Sequence, residues 1–184
     1  MAKLVSKTYG DALFDLALES GQVDSLFQEA KAMLLIIKGN EDLAKIMNHP
    51  KIVVEEKQKI VEDIFKERAS REMIGLMRMI IEKSHYNEFD SVLEYFIYRV
   101  KEYKKVGTAY ISSPMELSLA QKDSIRRKLL ETTKYKQFEF HYQIDPSLIG
   151  GIVIRIGDRV IDGSIKNKLA RLTSELSKTK LQVS

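Results

Sequence analysis

The hydrophobic period of this chain changes once, near Val106–Gly107, and that change limits the possible folds more than any other feature. Before it, apolar residues recur three and four apart, the period of helices packed on one side. After it, stretches alternate apolar and polar, the period of strands with one buried face. The pattern predicts two domains. Residues 1–105 form an all-α bundle of six helices. Residues 106–184 form a small α+β domain with a mixed sheet and two helices. No Pro/Gly/Ser-rich linker, internal repeat or low-complexity tract separates them.

The breakers place the elements. Gly21 ends a first helix whose predicted core stripe is Val5, Tyr9, Ala12, Leu13 and Leu16. Gly39-Asn40 stops a second, and His49-Pro50 a short third. A fourth runs from about Val54 to Lys66; Ser70 caps a fifth; Phe89 to Tyr103 carries the sixth. Beyond the boundary, Thr108–Ser113 is a strand ended by Pro114. Ser118 and Gln121 form a capping box for a helix to about Thr132. Phe138 to Ile144 alternates cleanly. Ile152, Ile154 and Ile156 then lead through Gly157-Asp158 into a returning strand, Arg159–Ile161. Ser164 is placed as the N-cap of a last helix striped by Ile165, Leu169, Leu172 and Leu176.

Two helices carry more apolar surface than one neighbour can cover. Opposite its core stripe, the first helix places Phe14 and Leu18, with Leu4 nearby. In the fifth, Met73, Ile74, Leu76, Met77, Ile80 and Ile81 span about 160° of the helix and Met79 widens the arc. Either both helices are central in the bundle, or they present a groove for an amphipathic partner helix.

No chemistry is signalled. The chain lacks Cys, which removes disulfides, thiolate zinc sites and cysteine nucleophiles. His49, His85 and His141 fall in three different elements, without helical metal-ligand spacing. There is no phosphate-binding glycine loop and no nucleophile elbow. No apolar run reaches the ~20 residues that span a bilayer, and acidic residues interrupt the first twenty positions, unlike a signal or transit peptide. The expectation is a protein without cofactors, metal or active site, starting at Met1. Charge is uneven: residues 1–105 carry 17 Lys/Arg against 18 Asp/Glu, and residues 106–184 carry 13 against 8. That basic excess is a solvated surface, or it faces an acidic protein, anionic lipid or nucleic acid.

The ordered string Asp145–Leu169, DPSLIGGIVIRIGDRVIDGSIKNKL, resembles the signature of the delta subunit of bacterial F-type ATP synthases, relatives of the mitochondrial oligomycin sensitivity-conferring protein. Tyr9–Ala17 is similar to the family's opening helix, and Leu76–Glu82 to its Leu-x-Arg-Leu-Leu-x-Glu run. Two places depart from the pattern: Lys83-Ser84-His85-Tyr86 replaces a usual Asn-Gly-Arg-Leu, and Gly10-Asp11 a usual Ala-Lys. The resemblance implies a non-catalytic stator component that joins the catalytic head to the peripheral stalk during proton-driven ATP synthesis. It implies one copy per complex, at the cytoplasmic face of the cell membrane, with only indirect membrane contact. It also implies that the bundle receives the N-terminal helix of an α subunit at its first and fifth helices. On matching positions the groove residues are Tyr9, Ala12, Leu13, Leu76, Met77, Met79 and Ile80. The C-terminal domain then meets the b subunits of the stalk. Charge offers Arg155, Arg159, Lys166, Lys168 and Arg171 as a basic face for acidic residues there, or as a solvated surface. The alternative is an RNA- or DNA-binding module using the same basic domain with Tyr135, Phe138, Phe140 and Tyr142.

Overall fold

The computed structural model describes residues 2–170. The chain divides into two compact units, Met1–Tyr103 and Lys104–Ser184. The first is helical: α1 Ala2–Glu19, α2 Val23–Lys38, α3 Glu41–Met47, α4 Val54–Phe65, α5 Arg71–Glu82 and α6 Phe89–Lys104, with a 3-10 turn at Tyr86–Glu88. Its core gathers Leu26 of α2, Phe65 of α4, Met73, Met77 and Ile80 of α5, and Phe89, Leu93 and Phe96 of α6. Such side chains stabilise by about 1.5–3 kcal/mol each on leaving water.

Polar contacts fix α5 within this core. Ser70 caps it, its hydroxyl accepting from Met73 N–H (3.4 Å). The Glu29 carboxylate of α2 accepts from Ser70 N–H (2.8 Å), which ties the start of α5 to another helix. Toward the other end, Gln58 of α4 donates to Arg78 O (3.2 Å), and Arg78 pairs with Glu62 (2.9 Å).

The buried face of α1 differs from the sequence expectation. Ser6, Gly10, Leu13, Phe14 and Ala17 face inward, while Leu16 is 41% exposed. The predicted second stripe does not exist as such: Phe14 is core, and Leu4 and Leu18 are exposed. The reason is a close approach of α1 to α6. A Cβ added at Gly10 would lie 2.5 Å from Tyr95 Cδ1 and 3.3 Å from Val92 O, so a glycine allows the contact. Asp11, beside it, accepts from Tyr95 Oη (3.3 Å) and lies 2.8 Å from Arg99 Nε, an ion pair in which the Nε–H is not aligned for a hydrogen bond. Arg99 also stacks over the Phe14 ring (4.9 Å), and Phe14 meets Tyr103 edge-on (5.7 Å). The unusual Gly10-Asp11 pair is therefore matched by Tyr95 and Arg99.

The second unit is a four-stranded mixed sheet with order β2-β1-β3-β4, where β1 is Val106–Ser113, β2 Gln137–Ile144, β3 Val153–Ile156 and β4 Arg159–Asp162. Helix α7, Leu119–Thr132, begins with the expected Ser118/Gln121 capping box and connects the parallel strands β1 and β2. The other pairings are antiparallel. Gly107, Ala109, Ile111, Phe138, Phe140, Ile154 and Ile156 share the inner face by register. Gly151 sits at φ +78°, where a Cβ would lie 2.3 Å from Gly163 O, so the loop before β3 lies directly on the chain leaving β4. Ile165 N–H donates to Gly150 O (2.9 Å), and the Ser164 hydroxyl accepts from Asn167 N–H (3.1 Å). Residues 165–170 are helical; Leu172, Leu176 and Arg171 lie outside the described residues.

Replacing Gly10 by Val should lower the stability of the first unit by about 1–3 kcal/mol through overpacking. In urea unfolding, the double variant Gly10→Val/Tyr95→Ala should lose less than the sum of the two single changes, because they share the contact.

Candidate interaction surfaces

The seven groove residues proposed from sequence separate into two groups. Leu13, Leu76, Met77 and Ile80 are interior, Met77 at 1% and Ile80 at 0% exposure. Tyr9 is half-buried against the core, Ala12 is exposed, and Met79 is 50% exposed. The apolar surface of α1 is a ridge of exposed Ala12 and Leu16 and half-buried Val5 and Tyr9, spaced four, three and four residues apart on one side of the helix. On α5, Met79 and Gly75 are exposed, and a Cβ at Gly75 would meet nothing within 4 Å. Helix α1 packs against α2, α5, α6 and the 3-10 turn. The sequence pattern missed Leu16 as a surface residue because it assigned it to the core stripe.

Tyr86, in that turn, is buried and stacks with Phe89 (6.3 Å). Burial, and secondly the charge of Asp90, push its phenol up to about 12. Its hydroxyl makes no hydrogen bond among the described residues.

Of the five basic residues offered as one face of the second unit, Arg155 and Arg159 lie on opposite faces of the sheet. Arg155 pairs with Tyr110 and Val160 on the outer face of the sheet. Arg159 pairs with Ile156 on the inner face and lines a cleft of about 400 Å³ between α7 and the β3–β4 hairpin, with Ile125, Leu129, Ile154 and Ile161. Directly paired residues of a hairpin share a face and successive residues alternate; Arg155 pairs with Val160 and Arg159 with Ile156, so the two arginines lie on opposite sides. Lys166 and Lys168 are exposed on the helical residues after Ser164, and Arg171 lies outside the described residues. On the outer face, Tyr110 and His141 rings stack at 4.8 Å and 18°, and the Arg155 guanidinium lies 4.8 Å from the Tyr110 ring. Neither Tyr110 nor His141 stood out in the sequence. Of the aromatics tied to nucleic-acid binding, Phe138 and Phe140 are partly buried against the inner core, and Tyr142 stacks on Phe140 (6.0 Å).

Two carboxyls are perturbed in the signature loop. The hydroxyl and then the backbone N–H of Ser147 hold Asp145 below its ordinary range, and Ser164 does the same to Asp162. Among the described residues, no group of three His, Cys, Asp or Glu could hold a metal ion, and no helix is long and apolar enough to cross a membrane.

Residues 5–176 match the model of the family described as ATP synthase delta (OSCP) subunit. The chain belongs to this family. The ATP synthase subunit delta of Lachnoclostridium phytofermentans is 50% identical over 98% of this chain and 100% of its own length. That of Alkaliphilus oremlandii is 34% identical over 97% and 98%, and that of Desulforudis audaxviator 30% over 96% and 97%. A chain in the mitochondrial ATP synthase hexamer of Toxoplasma gondii superposes with a TM-score of 0.73 at 18% identity, covering 93% of this chain and 96% of that one, a likeness of fold. As a delta-family chain this protein is a non-catalytic component of the peripheral stalk of an F-type ATP synthase, linking the stalk to the catalytic head and peripheral to the membrane sector.

Two outcomes follow from the burial and the perturbed carboxyls. Met77→Asp should abolish the cooperative unfolding of the first unit, because an unpaired charge would sit in the core, whereas Met79→Asp should stay within about 0.5 kcal/mol of wild type. Because the folded-state pKa of Asp162 is depressed, its stabilising contribution is present above the ordinary carboxylate value and is lost as pH falls through the folded value. Across that window Asp162→Asn should lose less stability than wild type in chemical unfolding.

Proposed function

We propose that this delta-family chain clamps the catalytic head to the stalk through two separate contacts, one on each unit. The first unit receives the N-terminal helix of an α subunit on α1 and α5. Val5, Tyr9, Ala12, Leu16 and Met79 supply the contact, and the buried Leu13, Leu76, Met77 and Ile80 form a firm floor beneath it. The observation that carries this reading is the partly open apolar ridge on α1, with Ala12 and Leu16 exposed, which matches the i, i+4, i+7, i+11 spacing that a docked amphipathic helix also uses.

The second unit holds the C-terminal end of the b subunits, with its basic side chains meeting acidic ones. One copy per complex, at the cytoplasmic face of a bacterial membrane, then carries the counter-torque while the rotor turns under proton flow. A contact that bears such a load needs a standard interface or larger, roughly 1,200–2,000 Å² of total buried surface.

Fluorescence anisotropy with a labelled peptide of the first ~20 residues of the cognate α subunit, a helix of about 30 Å, tests the first contact. The peptide should bind wild type, and Ala12→Arg and Met79→Asp should each weaken it about tenfold or more with circular dichroism unchanged. Absence of wild-type binding, or equal binding by the folded variants, rejects this location.

A further inference from the structure

The outer face of the sheet carries an unassigned row of side chains. His141 of β2, Tyr110 of β1, Arg155 of β3 and Val160 of β4 sit directly across from one another on four adjacent strands. All four are exposed, Tyr110 at 45% and Val160 at 58%. The first three touch: His141 stacks on Tyr110 at 4.8 Å, and the Arg155 guanidinium lies over the same Tyr110 ring at 4.8 Å. Among the described residues Arg155 pairs with no carboxylate, although Arg78 and Arg99 of the first unit each do.

We propose that this row is the surface on which the second unit holds the stalk, and that it receives a protein segment presenting a central carboxylate flanked by apolar side chains. The inference rests on the reading that the second unit binds the b subunits, and it names the face and the chemistry of that contact. Contact with the Tyr110 ring restrains the Arg155 guanidinium above it, so less side-chain freedom is lost when a carboxylate binds its N–H edge. A planar fork fits a carboxylate through two parallel hydrogen bonds. Val160, across from Arg155 on β4, and the half-buried Val153, two residues along β3, supply apolar contact beside that charge. Tyr110 and His141 extend the row as flat, amphipathic surface, the kind that concentrates binding energy at protein interfaces.

The charges of the face favour a protein segment over a phosphate backbone. Glu139, paired with Thr108, and Asp162, paired with Val153, lie on the same outer face to either side of the row. A polyanion laid across the sheet would meet both carboxylates. A segment with one carboxylate at its centre meets only Arg155 and the neighbouring rings. The inner face is a different surface. Its cation, Arg159, stands over an apolar cleft on the opposite side of the sheet and serves as the internal control.

Isothermal titration of the full chain with the purified soluble part of the cognate b subunits tests the assignment. Tyr110→Ala and Arg155→Gln should each weaken binding about tenfold or more, while Arg159→Gln stays within about twofold. Arg155→Lys keeps the charge but not the planar fork and should fall between wild type and Arg155→Gln. Should Tyr110→Ala fail to fold, His141→Ala and Arg155→Gln, both at exposed positions, carry the same comparison. If wild type binds and these variants bind equally well, the outer-face assignment is overturned and the stalk contact stands elsewhere on the unit. If wild type does not bind, both readings fall. Binding of single-stranded polyuridylate with a steep salt dependence, abolished by Tyr110→Ala, would overturn the assignment in favour of nucleic acid.

Discussion

The burial of one wide apolar face of α5 is the constraint on which the first unit depends. Met73, Met77 and Ile80 are sealed in a core shared with the neighbouring helices and supply much of the hydrophobic free energy that offsets the entropy of ordering the chain. Polar contacts then fix the helix along and about its axis: Glu29 holds the Ser70 N–H at its start, and Gln58 and Glu62 hold Arg78 near its end. The surface that α5 offers to solvent, Gly75 and Met79, is consequently set by the interior. A stator has to present its contact residues without giving way under load, and a helix fastened at both ends to two different neighbours suits that task.

Much of this was legible in the sequence. The single change of hydrophobic period separated a helical part from a β-containing part, and Ser70, Ser118/Gln121 and Ser164 cap the helices that their spacing predicted. The rotation of α1 was not legible. Hydropathy weights large apolar residues, but the buried face of α1 includes Ser6, Gly10 and Ala17, and at Gly10 the approach to α6 makes small size matter more than greasiness. With those three discounted, Val5, Tyr9 and Leu16 join Leu13 in the expected core stripe and Phe14 falls into a second one with Leu18. Likewise, the α5 residues chosen by likeness to relatives are mostly interior, because a motif records what a helix needs both to pack and to bind, without separating the two.

The second unit shows the same limit in a different form. Basic residues gathered along the sequence are distributed in space by the pleat and by the turn at Gly157-Asp158, so Arg155 and Arg159 end on opposite faces of one hairpin. The Tyr110–His141 stack joins residues thirty-one positions apart through the parallel register of β1 and β2. That register depends on the α7 crossover, and no local window of sequence contains it.

The contact between α1 and α6 also bears on how such chains diverge. Gly10, Asp11, Tyr95 and Arg99 answer one another: the missing side chain makes room for the ring, and the carboxylate meets both the phenol and the guanidinium. An Ala-Lys pair at positions 10 and 11 would crowd Tyr95 and set two cations side by side. Lineages within the family should therefore exchange these four positions as a set, and chimeric chains that mix the two solutions should be less stable than either parent.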